Sequence, residues 1–314
     1  MGRRRKKGRP VNGWIVLDKD YDFGSTDAVS KLKWLLKAQK AGHAGTLDPL
    51  ATGILPIAFG EATKTVPYVT ESRKTYRFTA RWGISTTTDD AEGEELATSQ
   101  IRPDREQILS RLPAFTGAIK QTPPKFSAIK IDGARAYDLA RDGEDVSPAA
   151  RTIQVHRLEL INTPDADHAS FEAVTGKGAY VRALVRDLAK ALGTEGHVSE
   201  LRRTAVGPFT EANAVKLSML EQLETPEERD EELLPVEAAL AHLPQADIGE
   251  SEAGRLRCGQ PAVLSPATAR GIRAGESGLV ASVLALRNGG PVAICELDGL
   301  KLHPLRVFNL ANPE

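Results

Sequence analysis

One short segment concentrates the residues that could do chemistry. It reads Gly42-His43-Ala44-Gly45-Thr46-Leu47-Asp48-Pro49-Leu50-Ala51-Thr52-Gly53. His43 and Asp48 stand five apart in a glycine-rich, apolar stretch. Pro49 biases the Asp48 backbone away from helix. A carboxylate in such surroundings must be paired, protonated or functional. On residue types alone two readings of Asp48 stand side by side. It accepts hydrogen bonds from its own loop, or it is a working group of a site. For His43 taken alone, a structural loop histidine is the simpler reading.

Other chemistries find little support. The chain has no GxxxxGK[ST] and no GxGxxG after a strand, so nucleotide cofactors are not indicated. The six histidines (His43, His156, His168, His197, His242, His303) show no metal-ligand spacing. No GxSxG elbow is present. Cys258 and Cys295 are the only cysteines, too far apart for a CxxC motif, and they suit a reducing cytoplasm. Neither a metal nor a cofactor is expected.

The elements that must position the segment can be read around it. The chain has 314 residues, enough for about two domains. With 41% hydrophobic and 26% charged residues it has the composition of a folded protein. No apolar run reaches the ~20 residues of a bilayer span, so no membrane association is expected. The basic N-terminus has no apolar segment behind it, unlike a secretory signal.

Residues 1–10 are predicted to be a disordered basic tail. Trp14-Ile15-Val16-Leu17 reads as a buried strand. Ser25 or Thr26 is expected to cap a helix carrying Ala28, Val29, Leu32, Leu35 and Leu36. Over 42–60, four glycines with Pro49 and Pro56 are expected to break any long helix or strand. Such a buried irregular segment must still find partners for its backbone polar groups. Tyr76, Phe78, Ala80 and Trp82 alternate with polar residues, so Tyr76 should share the buried face of a strand.

Residues 86–95 read as an exposed loop. Residues 104–112 suit a short helix on Ile108, Leu109 and Leu112, and Asp132-Gly133 reads as a turn. Residues 153–161 and 169–175 read as a strand pair. Val181, Leu184, Val185, Leu188 and Leu192 define a helix that Gly193 stops. Arg182 falls in its first turn, where the helix dipole disfavours a cation. That placement suggests an anionic partner; a salt-bridged surface arginine is the alternative. Residues 221–237 hold eight acidic residues and one arginine, which reads as a solvated helix or linker. Residues 243–310 read as a small β-rich unit, with Asn288-Gly289-Gly290 as a hairpin turn.

The net charge of −1 hides an asymmetry. Residues 1–82 carry 16 basic and 7 acidic side chains, and the remainder carries 25 and 35. A basic end is a footprint for a polyanion such as nucleic acid, or a solvated tail.

The segment Gly42–Gly53 closely resembles the catalytic motif of the TruB-type tRNA pseudouridine synthases, GHxGxLDPxAxG, with every fixed position met. The likeness continues in order. Asn12-Gly13 through Leu17-Asp18-Lys19 is similar to the family's first motif, and Lys74-Thr75-Tyr76 to its tyrosine-bearing strand. Gln121 to Lys130 and Gly133 to Tyr137 resemble its central segment. Lys177-Gly178-Ala179-Tyr180-Val181-Arg182 resembles KGxYxR, and His197 to Arg203 resembles HVxxLRR. Two positions depart: Asp20 follows Lys19 where the family has proline, and Phe126 stands where tyrosine is common.

The resemblance implies an α+β fold: a mixed, mostly antiparallel sheet with helices over about 11–240. A small PUA-like RNA-binding domain would follow at 243–310. It implies an isomerase that converts uridine 55 in the T-loop of tRNA to pseudouridine, without metal or cofactor. Asp48 would be the catalytic residue. Arg182 would pair with it, Tyr76 would lie against the base, and Lys19 would support the site. Tyr180 and Leu201 would line the base pocket, and His43 would fill space beside the extruded bases. The expected partner is the T-arm of tRNA, bound by a cytoplasmic monomer with no obligatory protein partner. The intact Asp48, Tyr76 and Arg182 argue against a protein that only binds RNA.

Overall fold

The computed structural model describes residues 8–127, 130–131, 134–135, 148–273 and 280–310. The main sheet starts from two apolar runs. β1 (Gly13–Lys19) is buried on both faces. Trp14 and Val16 enter one apolar cluster with Ala58 and Phe209; Ile15 and Leu17 enter another with Leu32 and Phe59. A strand covered on both sides needs no polar alternation, which explains the continuous run. β2 (Ala41–His43) and β3 (Thr52–Phe59) follow, and β3 lies antiparallel to both β1 and β2.

In the next part of the sheet the two-residue period returns. β4 (Lys74–Trp82) turns Phe78, Ala80 and Trp82 inward, with Tyr76 packed against the same cluster. β5 (Ile84–Thr86) and β6 (Glu95–Thr98) form a separate hairpin, and β7 (Gly117–Gln121) returns to the main sheet. β8 (Lys130–Ile131) and β9 (Ala134–Arg135) pair with each other. β10 (Arg151–Asn162) and β11 (His168–Thr175) form the expected hairpin. β12 (Gly196–Val206), β13 (Phe209–Thr210) and β14 (Val215–Lys216) complete the sheet. The strand order is β14-β1-β3-β12-β4-β11-β10-β7, with β2 beside β3 and β13 beside β12. Only β1–β14 and β3–β12 are parallel among the described pairs of this sheet, so it is mixed and mostly antiparallel.

The helix Val181–Ala191 packs on β12 and β4, and its apolar stripe joins one core cluster with residues of β4, β10 and β11. Phe78 and Phe171 stack there with centroids 5.4 Å apart, and Trp82 meets Phe171 edge-on at 6.4 Å. Such aromatic pairs contribute about 0.5–1.5 kcal/mol beyond their buried area.

The C-terminal unit is a five-stranded sheet of β15 (Gln245–Asp247), β16 (Ala262–Val263), β17 (Val280–Arg287), β18 (Gly290–Asp298) and β19 (Lys301–Val307). Asn288 and Gly289 both take positive φ, as a tight hairpin turn between β17 and β18 requires. One side packs on its own helix Glu250–Arg257. The other contributes Leu284, Leu286, Ile294 and Phe308 to the cluster around Trp14. Lys64 Nζ also donates to the Val307 carbonyl at 2.7 Å.

Several expectations change. Gly53 and Pro56 do not break the chain: both lie within the eight-residue strand β3. Pro56 falls between the end of the pairing with β2 and the start of that with β12. Its missing N–H therefore interrupts neither ladder, and its carbonyl accepts from Ala44 N at 2.9 Å. Ser25 is not a cap. The helix Ser25–Leu35 is capped by the Gly24 backbone, and Ser25 turns inward instead. Val29 is partly buried and packs against the core with Leu32 and Leu35 as expected, whereas Leu109 is exposed and leaves its expected core face.

The acidic run 221–237 holds a short helix, Pro226–Asp230, and most of its acidic side chains are solvated as expected, but it is tied to the main sheet rather than leading away from it. Leu234 and Trp14 exchange two backbone hydrogen bonds at 2.8 Å. Arg229 is buried and donates to the carbonyls of Leu220, Leu223 and Leu35. Gly8 to Pro10 are not a disordered tail either, because Arg9 pairs with Asp230 and bridges to Ala38. Residues 1–7 and the turn at Asp132-Gly133 lie outside the described residues.

β3 and β12 approach closely at Gly53, whose φ is +96°. A Cβ there would collide with the Arg203 carbonyl oxygen. Gly53→Ala is therefore expected to lower stability by about 2 kcal/mol or more, read as an earlier urea midpoint. An unchanged midpoint would contradict this close approach.

Candidate active site

Asp48 sits on the loop that joins β2 to β3. The loop is irregular and partly buried, so its enclosed backbone groups need side-chain partners. Three come from distant elements. Ser25, from the helix Ser25–Leu35, accepts from Leu47 N at 2.8 Å and donates to the Leu47 carbonyl at 2.7 Å. Arg203, from β12, donates to the carbonyls of Gly45 at 3.0 Å and Thr46 at 3.3 Å. Lys19, at the end of β1, donates to the Pro49 carbonyl at 3.0 Å and to those of Asp20 and Phe23. The residues on both sides of Asp48 are thus pinned.

The Asp48 side chain is left 39% exposed and meets Arg182, which is only 5% exposed. Arg182 Nη2 lies 2.8 Å from Asp48 Oδ2. The same guanidinium lies 3.4 Å from Asp90 Oδ2 and donates to the carbonyls of Thr88 at 2.8 Å and Phe126 at 2.9 Å. One turn along the helix, Arg186 pairs with Asp89 at 2.9 Å and donates to the Thr122 carbonyl at 2.7 Å. Burial pushes the Asp89 carboxyl up, and the nearby Arg186 charge opposes that.

Residues 91–95 are mostly exposed as expected, but 86–90 are not an exposed loop. Asp90 is buried, and the turn of the β5–β6 hairpin clamps the first turn of the helix. The cation that the helix dipole disfavours faces two carboxylates.

A cleft of about 220 Å³ opens beside this pair. Asp48, Tyr76, Tyr180, Arg182, Leu201 and Arg203 line it. Tyr180 is held in place from two sides. Its backbone exchanges hydrogen bonds with the Gln121 side chain at 2.9 and 3.1 Å. The Arg151 guanidinium lies 5.3 Å from its ring centroid. The structure thus brings together Asp48, Tyr76, Arg182, Tyr180 and Leu201 of the residues singled out in the sequence. Lys19 and His43 are not among the lining residues. Lys19 acts from beneath the loop, and His43 ends β2 opposite Ile57.

Sequence reasoning did not single out Asp90, Asp89, Arg203 or Lys74. Arg203 had two usable signals: it is a fixed position of the HVxxLRR resemblance, and two residues after Leu201 on a strand it shares the same face. Burial pushes the Arg203 guanidinium down, while the Tyr76 hydroxyl and Asp48 oppose this, and an arginine remains cationic there. Lys74 lines the cleft, and burial pushes its amine down to about 8. Together the cations and the two rings suit a negatively charged ligand with a flat, stackable group.

Lys19 gives a pH test. Burial pushes its amine down from 10.5 to about 8, and the Asp48 charge is the largest effect opposing this. Between those two values the unfolded chain holds a proton that the folded chain has released. Stability from this group therefore rises with pH across that window. The unfolding free energy of wild type minus that of Lys19→Met should grow from pH 8 towards 10.5. A flat or falling difference would show that the lysine is not depressed.

A model of the TruB family pseudouridylate synthase N-terminal domain matches residues 33–181. A model of the tRNA pseudouridylate synthase B C-terminal domain matches residues 182–241. The tRNA pseudouridine synthase B of Caulobacter vibrioides is 53% identical, covering 98% of this chain and 99% of its own. That of Agrobacterium fabrum is 54% identical, covering 97% of both chains. Among solved structures, a Cbf5-Nop10-Gar1 complex contains a chain that aligns with a TM-score of 0.70 at 25% identity. It covers 94% of this chain and 84% of that one. With near-complete coverage at this identity, the chain belongs to the TruB family of pseudouridine synthases.

Proposed function

We propose that this pseudouridine synthase isomerises uridine 55 in the T-loop of tRNA, with Asp48 as the catalytic residue. One observation carries the reading: a half-exposed Asp48 carboxylate faces the buried Arg182 at 2.8 Å, in a cleft lined by Tyr76 and Tyr180. The relatives' common name, tRNA pseudouridine synthase B, supports tRNA as the substrate.

The reaction breaks the N1–C1′ bond, turns the base and rejoins it through C5. It needs a nucleophile or charge stabiliser, a pocket that keeps the detached base, and proton transfer. Asp48 supplies the first. Attack at C6, attack at C1′ and a glycal-like elimination all draw on the same carboxylate. Arg182 pairs with it and fixes its direction. Tyr76 stacks on the base and handles a proton, Tyr180 and Leu201 retain the base, and Lys19 holds the loop from below. A uridine within a folded RNA arm must first be extruded, and His43 occupies space beside the extruded nucleotides.

Basic residues of the first 82 positions meet the phosphates. In this reading residues 11–240 form the catalytic domain, and 243–310 act as a PUA-like domain on the same RNA. The protein works alone, as a cytoplasmic monomer.

The test is incubation with an unmodified tRNA transcript, then carbodiimide labelling and primer extension. The expected outcome is a single stop at the T-loop uridine, with RNA affinity falling steeply as salt rises. Pseudouridine at a different position, or none, would overturn the assignment of the target.

A further inference from the structure

Lys33, Trp34 and Lys37 stand together at the C-terminal end of the helix Ser25–Leu35 and line one groove of about 610 Å³. Trp34 is 70% exposed, whereas the other two tryptophans, Trp14 and Trp82, are buried. One exposed ring says little by itself. Its surroundings say more. Lys31 Nζ lies 5.5 Å from the ring centroid and is paired with Glu221. Lys33 and Lys37 are exposed and, among the described residues, form no ion pair. Gly8 lines the same groove and directly follows five basic residues, Arg3 to Lys7.

The Lys37 backbone adds an independent observation. Its φ is +50°. It follows the cap residue Leu36, and Ala38 N donates to the Lys33 carbonyl at 2.9 Å, which closes a helix end that favours glycine at this position. A lysine is strained in this left-handed conformation and glycine is not. A cation is thus retained where the backbone prefers glycine.

The chemistry of the patch selects its occupant. A bilayer needs an apolar stripe along the helix, but Ser30, Lys33 and Lys37 are the exposed residues beside Trp34. A protein footprint needs an apolar core, which one ring does not supply. A single ring flanked by free cations suits an RNA strand, with a base on the indole and phosphates on the lysines. We propose that Lys33, Trp34 and Lys37 form a second RNA-binding surface, which stacks one unpaired base of the tRNA on Trp34 and holds the flanking phosphates. None of the three lines the Asp48 cleft. Ser25 touches the Asp48 loop through Leu47, and Trp34 lies nine residues on, about 13 Å further along the helix axis. The T-arm gives its loop to the cleft and is otherwise paired, so the unpaired base comes from another part of the tRNA. Glu224 on the opposite wall repels phosphate and keeps the strand on the lysine side. The inference rests on the proposed function for tRNA as the ligand, not for the chemistry.

The test uses the full-length protein with two RNAs, a complete tRNA transcript and the isolated T-arm hairpin. Acrylamide quenching reports on Trp34, the exposed tryptophan. The tRNA should protect the ring, and the hairpin should not. Trp34→Ala should weaken tRNA binding about tenfold, in the range of one lost base stack, and hairpin binding by less than about twofold. Lys37→Gly should weaken tRNA binding about threefold and flatten its logarithmic salt dependence by about 0.7, the contribution of one phosphate. Its urea midpoint should stay or rise, because the strain is gone. A ring that tRNA leaves unprotected, or equal losses of affinity for both RNAs, overturns the inference. Equal protection by phosphatidylserine vesicles also overturns it and assigns the face to a membrane. These readouts need no turnover. A tRNA bound through Trp34 but never modified would fail the proposed function and leave this inference standing.

Discussion

The site depends on one constraint: a partly buried loop without regular structure must have its enclosed backbone polar groups satisfied. The loop around Asp48 meets it with side chains rather than a ladder. Gly45 and Thr46 bond to Arg203, Leu47 to Ser25, and Pro49 to Lys19. These three residues come from β12, the first helix and β1. Each buried carbonyl left unpaired would cost about 1–3 kcal/mol, so the pins and the loop stand or fall together. The order of the main sheet serves the same need: β12 lies between β3 and β4, so Arg203 pairs through its backbone with Gly53 and Tyr76 while its side chain reaches the Asp48 loop.

Charge balance is the second layer. Arg182 stands in the first turn of its helix, against the dipole, and is almost fully buried. Asp90 and two loop carbonyls hold it there independently of Asp48. A guanidinium already fixed by its surroundings can aim at one carboxylate without reorganising. Arg186 and Asp89 repeat the arrangement one turn on, locking the β5–β6 hairpin to the helix. The cleft is thus built on rigid elements even though Asp48 sits on a loop.

Local pattern was enough for some of this. The two-residue period of β4 placed Tyr76 on the inner face, and the stripe of the helix Val181–Ala191 set its bounds. The resemblance singled out Asp48, Arg182, Tyr180 and Leu201, and the structure places all four at one cleft. What failed was long-range. Asp89 and Asp90 read as exposed because their partners lie more than ninety residues away, at Arg186 and Arg182. Ser25 read as a cap because its partner, Leu47, is twenty-two residues on. The acidic run looked like a free linker although the buried Arg229 within it donates to the carbonyls of Leu220, Leu223 and Leu35. β3 was hidden by Gly53 and Pro56, whose fit depends on which neighbours end beside them. In each case a polar or helix-breaking residue is made acceptable by a tertiary partner that no window of sequence contains.

The central claim is that the Asp48 carboxylate carries the reaction, and that the fold exists to hold it opposite Arg182. Asp48→Asn tests it most directly, because it keeps the shape and removes the charge. Tritium release from T-arm RNA labelled at C5 of uridine would be followed together with RNA affinity. The account predicts release by wild type and none above background from the variant, with RNA bound by both within about threefold. Release by the variant at a rate near that of wild type would contradict it.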